Sequence, residues 1–293
     1  MKKIGKRQII SISSLIIPFI AVIMFDRWLP YSLLSHYKFP VLDNPPILEQ
    51  YGALAETLAF KTKDNINISG WFIPAKTPST KTLIVLHSRG ATRQDMLEFS
   101  LPLWQAGFNL ALIDLRGHGR SGSDYFTFGY HEWQDVSGLI DDLERRHPIA
   151  TNDITLIGVS AGGAVATSAA SKEPRIKRLV TIASFADLND AIKQQVPLLP
   201  EFWRNRAIRE AEKMAKFDIA EVSPMRAIKK VKCPVLIIHA VEDEYIPFEN
   251  GKILFAAATS KKEFYAIPEA NHANMLRLAK EELKTKIIQF ASK

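Results

Sequence analysis

The feature that most constrains this chain is the segment Gly158-Val159-Ser160-Ala161-Gly162, because of what flanks it. Upstream, Ile154-Thr155-Leu156-Ile157 is a short β-branched, apolar run that reads as a buried strand. Downstream, Ala164-Val165-Ala166-Thr167-Ser168-Ala169-Ala170 reads as a helix of small residues. Glycines on both sides of the serine permit a turn too tight for a side chain at either position. The strained backbone pushes the Ser160 hydroxyl out of the sheet. A G-x-S-x-G run carries this meaning only between a strand and a helix.

The rest of the chain alternates in the same way from about Leu54 onward. Ala55–Lys61 and Ile66–Ile73 read as a hairpin around Lys63-Asp64-Asn65, and Leu83–Leu86 as a buried strand. A helix through Met96–Ala106 closes at Gly107, followed by a strand at Asn109–Ile113 and an amphipathic helix over Glu132–Arg146. Strands are expected at Leu179–Ala183, Val235–His239 and Glu263–Ile267, with helices near Gly251–Ala257 and over Asn274–Phe290. Repeated βα units after a hairpin imply an α/β domain over residues 55–293, with a mostly parallel sheet and helices on both faces. Sites in such sheets form at the carboxyl ends of the strands. The alternation stops between Asp187 and Val231, where a helical lid is expected over the strand ends. Its residues Leu198, Leu199, Phe202 and Trp203 suit either core packing or an acyl-binding wall.

The N-terminus has a different character. Ile9 through Phe25 is almost wholly apolar and uncharged, and it follows Lys2, Lys3, Lys6 and Arg7. Its length sits at the lower edge of the roughly 17–25 residues that cross a bilayer. No A-x-A cleavage spacing follows it, so an uncleaved signal anchor over residues 1–30 is expected rather than a removed signal peptide. The basic tip would stay cytoplasmic, which puts the main domain on the extracytoplasmic side, behind a linker at residues 31–54.

Those four basic residues account for much of the net charge of +7. The remaining cluster, Arg204, Arg206, Arg209 and Lys213, reads as a solvated helix face or, more weakly, a contact with anionic headgroups. No aromatic-interleaved basic stripe marks a nucleic-acid binder. Cys233 is the single cysteine, so no intrachain disulfide or cysteine metal cluster can form, and no His/Asp/Glu cluster shows ligand spacing.

A serine hydroxyl needs a base to take its proton, and a base of near-neutral pKa needs a carboxylate to fix its tautomer. Among seven histidines, His272 lies in the loop between the last strand and the last helix. His239 ends an apolar strand and suits packing, His118 sits in a Gly-rich loop, and His36, His131 and His147 lack supporting context. Asp243 follows the penultimate strand, although Glu242 and Glu244 make an acidic, solvated loop the plain alternative. The order Ser160, Asp243, His272 selects that trio. An oxyanion would take one backbone N–H from Ala161 and one from the loop His87-Ser88-Arg89-Gly90, with Arg89 the chosen donor.

Together the His87 loop, Asp114-Leu115-Arg116-Gly117-His118-Gly119-Arg120-Ser121, the Gly158–Gly162 elbow and the Asp243 and His272 loops resemble an α/β-hydrolase from roughly Thr57 onward. With an anchor and a short lid, the chain resembles the membrane-tethered lysophospholipase and monoacylglycerol-lipase-like branch, also described as serine aminopeptidase-like. The resemblance implies esterase or lipase activity on a small acyl-ester or lipid substrate, with no cofactor. The usual His-Gly after the oxyanion strand is His87-Ser88 here. A peptidase or amidase would use the same trio, and a non-catalytic anchored scaffold is the reading from another class.

Overall fold

In the computed structural model, which describes Val22, residues 27–35 and residues 37–293, the apolar runs form one eight-stranded sheet. In chain order its elements are α1 (Leu29–Leu34), α2 (Pro46–Tyr51), β1 (Glu56–Lys61), β2 (Asn67–Ile73), β3 (Lys81–Leu86), α3 (Leu97–Gln105) and β4 (Asn109–Ile113). There follow α4 (Trp133–Arg146), β5 (Asp153–Val159), α5 (Ala161–Ala170), β6 (Ile176–Ile182), α6 (Leu188–Gln195), α7 (Glu201–Ala215) and α8 (Pro224–Ile228). The chain closes with β7 (Val235–Ala240), α9 (Glu249–Ala257), β8 (Lys262–Ile267), α10 (Met275–Leu278) and α11 (Lys280–Ser292).

The strand order is β1-β2-β4-β3-β5-β6-β7-β8. Only β1 with β2 and β2 with β4 pair antiparallel, as the hairpin reading requires. The other pairs are parallel, because each strand is followed by a helix that carries the chain back across a face. Central strands are buried on both faces, so they read as unbroken apolar runs. Alternate residues then feed two cores. Ile84, Leu86, Leu156 and Ile237 meet α4 and α5 residues such as Leu139 and Val165 on one side. Leu83, Val85, Ile157 and Leu236 meet Leu101 and Trp104 of α3 and Ile287 of α11 on the other.

One part differs from the sequence reading. The segment expected as a linker is folded onto the domain: Leu34, Val41 and Leu48 are buried in its cores, and the Phe126 N–H donates to the Leu34 carbonyl at 2.8 Å. Its helices are six residues each, too short to show a helical period. The expected signal anchor over Ile9–Phe25 lies, apart from Val22, outside the described residues. Among the described residues no helix is long and apolar enough to cross a membrane. The insertion between β6 and β7 is helical as expected and consists of α6, α7 and α8.

Candidate active site

The turn from β5 into α5 is as tight as its glycines suggest. A Cβ on Gly158 would lie 2.1 Å from the Gly162 carbonyl oxygen, and one on Gly162 would lie 2.4 Å from the His87 carbonyl oxygen. Backbone packed this closely leaves Ser160 at φ 55° and ψ −120°, a conformation that costs on the order of 1–3 kcal/mol. The Ser160 N–H is tied to the Ile182 carbonyl at 2.8 Å, which holds the strained residue in place.

The two loops predicted to face it do so. Ser160 Oγ lies 3.0 Å from His272 Nε2, and His272 Nδ1 lies 2.7 Å from Asp243 Oδ2. The second carboxylate oxygen, Oδ1, accepts from the N–H groups of Tyr245 at 3.0 Å and Ile246 at 2.7 Å. Asp243 is 4 % exposed, whereas Glu242 and Glu244 point to solvent, so the plain reading of an acidic solvated loop applies to the neighbours and not to Asp243. The His272 loop is locked by Asn271, whose Oδ1 accepts from the N–H groups of Ala273 and Asn274, each at 3.1 Å. The Glu242 N–H donates to the Ala270 carbonyl at 2.9 Å and ties the acid loop to the histidine loop. With Asp243 accepting from Nδ1–H, the free lone pair sits on Nε2, facing the hydroxyl.

Ala161 opens α5, where the first N–H groups of a helix lack intrahelical partners and form its positive end. Ala161, Ser88 and Arg89 line the same cavity of about 260 Å³ as Ser160 and His272. His118 and His87 have structural partners. His118 Nδ1 meets the Arg116 carbonyl at 3.0 Å, and its Nε2 accepts from the Gly90 N–H at 3.2 Å. His87 Nε2 accepts from the Leu115 N–H at 3.0 Å. The Gly-rich His118 loop therefore supports the Ser88–Arg89 turn rather than supplying a base.

Leu198, Phe202 and Trp203 of the expected lid wall are a correction. Leu198 is 95 % exposed and Phe202 63 % exposed; neither they nor Trp203 line the Ser160 cavity, and Leu199 lines only the chamber beside it. Leu198 precedes α7 on the outside and Phe202 and Trp203 lie in its first turn, while Val196 and Leu199 line the adjoining chamber. The wall is instead the inner face of α6, formed by Leu188, Ala191, Ile192 and Gln195, with Leu33 of α1 and the rings of Phe128 and Phe185. The α6 positions follow i, i+3, i+4, i+7, a helical stripe that the sequence displays.

His239 packs in the core, as its apolar strand suggests, and also approaches the acid. It is fully buried, its Nε2 lies 2.8 Å from the Ile246 carbonyl, and the same nitrogen is 3.7 Å from Asp243 Oδ2. Burial pushes its pKa below the usual histidine value, with the Ile246 hydrogen bond and Asp243 opposing that shift. The neutral ring is thus the folded form, while the unfolded chain takes up a proton near about pH 6.5. Stability from this group is full above that pH and falls as pH drops below it. His239→Phe should cost about 1–3 kcal/mol, by orphaning the Ile246 carbonyl, and should flatten the loss of stability between pH 7 and 5. Urea melts of both proteins across that range check this.

Residues 96–293 match the model of the prolyl oligopeptidase family. The chain belongs to this family. Among similar proteins, the uncharacterized protein YfhR of Salmonella typhi is 26 % identical over 279 residues, covering 89 % of this chain and 88 % of that one. Protein bem46 of Schizosaccharomyces pombe is 24 % identical over 237 residues, covering 78 % and 75 %. Among solved structures, the Pyrococcus furiosus esterase Pf2001 superposes with a TM-score of 0.73 at 22 % identity, over 88 % of this chain and 98 % of that one. Pyrococcus horikoshii acylaminoacyl peptidase gives 0.65 at 17 % identity, over 81 % and 41 %. At these identities the structural likeness shows the shared α/β-hydrolase fold. The prolyl oligopeptidase match makes the chain a hydrolase of that type, a coarser assignment than the lipase-like branch expected from sequence.

Proposed function

We propose that the protein is a serine hydrolase that cleaves carboxylic esters through an acyl-enzyme. The observation that carries this reading is the hydrogen-bonded chain Ser160–His272–Asp243, at 3.0 and 2.7 Å, opening into a cavity with an apolar wall. His272 Nε2 takes the Ser160 proton as Oγ bonds to the ester carbonyl carbon. The tetrahedral oxyanion is held by the N–H groups of Ala161 and Arg89. Collapse breaks the bond to the alcohol, which leaves with the proton from His272. Water then repeats the sequence on the acyl-enzyme, with Asp243 keeping Nδ1 protonated and stabilising the imidazolium. The acyl group lies against Leu33, Leu188 and Ile192, which suits a lipid-like ester such as a lysophospholipid or monoacylglycerol. An anchor over Ile9–Phe25, with the catalytic domain extracytoplasmic, belongs to the same proposal and rests on the apolar run after the basic tip.

A fluorophosphonate probe should label the full-length chain on Ser160, located by mass spectrometry of the modified peptide. Absence of labelling would sink the acyl-enzyme. A second reading, cleavage of amides, is favoured by the prolyl oligopeptidase match. Matched p-nitrophenyl esters and acylaminoacyl p-nitroanilides separate the two: esterase action predicts turnover of the first set with little of the second.

A further inference from the structure

The Ser160 cavity adjoins a chamber of about 160 Å³ that shares Leu33, Arg89, Ile192 and Gln195 with it. The chamber lies beneath α1 and between α6 and α7. Among the described residues neither lining includes an aspartate or glutamate, and two arginines, Arg89 and Arg204, line the chamber.

Arg89 stands apart from the other enclosed arginines. Arg93 is paired with Asp114, Arg116 with Asp64 and Asp135, and Arg178 with Asp153. Enclosed guanidinium groups in this fold are matched by carboxylates, as the cost of desolvating a charge demands. Among the described residues the Arg89 side chain has no carboxylate partner: Nη2 donates to the carbonyls of Ser32 at 2.5 Å and Ser35 at 3.3 Å, and the guanidinium lies 5.9 Å from the centre of the Phe128 ring. Its Nε is buried without any partner. Burial accordingly disfavours its charged form, and no nearby carboxylate offsets this. The two carbonyls cap α1, but that use occupies one of three nitrogens. Arg204 forms no ion pair among the described residues; its other side borders a groove lined by Asp187 and Asp190.

We propose that Arg89, assisted by Arg204, selects esters that carry an anionic group, a carboxylate or a phosphate, close to the scissile bond. The group would supply the counter-charge that the fold withholds from Arg89, at the junction between Ser160 and the chamber. The apolar faces of Leu29, Leu33, Val196, Leu199 and Ile208 then take the hydrocarbon portion. This selectivity rests on the acyl-enzyme reading of Ser160 and narrows its substrate class.

The test compares kcat/KM for each anionic ester with that for its neutral counterpart, using the full-length protein. The carboxylate arm pairs p-nitrophenyl hydrogen glutarate with p-nitrophenyl methyl glutarate. The phosphate arm pairs 1-butyrylglycerol 3-phosphate with 1-butyrylglycerol. The expected result is a preference of about 10- to 100-fold for the anion in at least one arm, the range of a hydrogen bond to a charged group. The responding arm identifies the group. Arg89→Gln should collapse that ratio, Arg89→Lys should retain part of it, and Arg204→Gln should lower it less. Should Arg89→Gln fail to fold, the lysine and Arg204 variants still report the ratio. Equal or greater turnover of the neutral esters, with Ser160 labelled by the fluorophosphonate, overturns the anion selectivity alone. No labelling and no turnover of any ester overturns the acyl-enzyme itself.

Discussion

Ser160→Ala should lower kcat toward an activated ester by about 10⁴- to 10⁶-fold, with the fold and melting temperature nearly intact. The loss is large because the hydroxyl, imidazole and carboxylate act as one unit. His272 has no proton to take once Oγ is gone, and Ser160 has no base once the imidazole is gone. Ser160→Ala, His272→Ala and the double variant should therefore lose activity to a similar degree, not in proportion to the product of the single losses. Asp243→Asn should be nearly as damaging, about 10⁴-fold, because its amide favours the tautomer that puts the proton on Nε2. Stopped-flow release of p-nitrophenol from an activated ester measures all four. A double variant ten thousand times slower than either single one would show that the groups act independently and would end the acyl-enzyme account.

The parts that were legible in the sequence share a physical property. Strands buried on both faces leave unbroken β-branched runs, so Asn109–Ile113 and Val235–Ala240 were visible within a residue. The elbow was visible because only glycine tolerates the 2.1 and 2.4 Å approaches at Gly158 and Gly162. Chain order placed Asp243 and His272, since each lies where a strand ends. What escaped were contacts made across long sequence distance. Nothing in residues 29–35 announces that the Ser32 and Ser35 carbonyls receive Arg89 from 54 to 57 residues away. Apolar bulk drew attention to Leu198 and Phe202, although an acyl wall depends on which face of which helix turns inward. The α6 stripe beginning at Leu188 carried that information in its period. His118 had a recognisable loop, but its role as acceptor for the Gly90 N–H depends on two loops meeting over the sheet.

Asp114→Ala should be the most destabilising single change outside the Ser160 unit, costing about 3–5 kcal/mol. Asp114 is fully buried just past the end of β4. Its Oδ1 accepts from the Arg93 N–H and its Oδ2 from the Arg120 N–H, both at 2.9 Å, and Oδ2 also pairs with Arg93 Nη1. Gly119 is required beside it, since a Cβ there would fall 2.2 Å from Oδ2. Arg93 is 1 % exposed, and its remaining contacts are a hydrogen bond to Ser69 Oγ at 3.1 Å and the face of Trp71 at 4.4 Å. Neither neutralises a guanidinium, so removing the carboxylate leaves an enclosed charge with only the exposed Asp43, itself paired with Arg120, to oppose it at longer range. For a domain whose total stability is on the order of 5–15 kcal/mol, this is a fifth or more. The effect reaches the site as well, because the turn at Arg93–Met96 closely follows the Ser88–Arg89 loop. Ester turnover should therefore fall along with the melting temperature. Arg93→Met in the Asp114→Ala background removes the stranded charge and should recover part of the loss. Urea denaturation of the two single variants and the double variant gives the coupling energy directly. A cost below about 1 kcal/mol for Asp114→Ala, or no recovery in the double variant, would mean that water reaches Arg93 and that the pair does not clamp the loop.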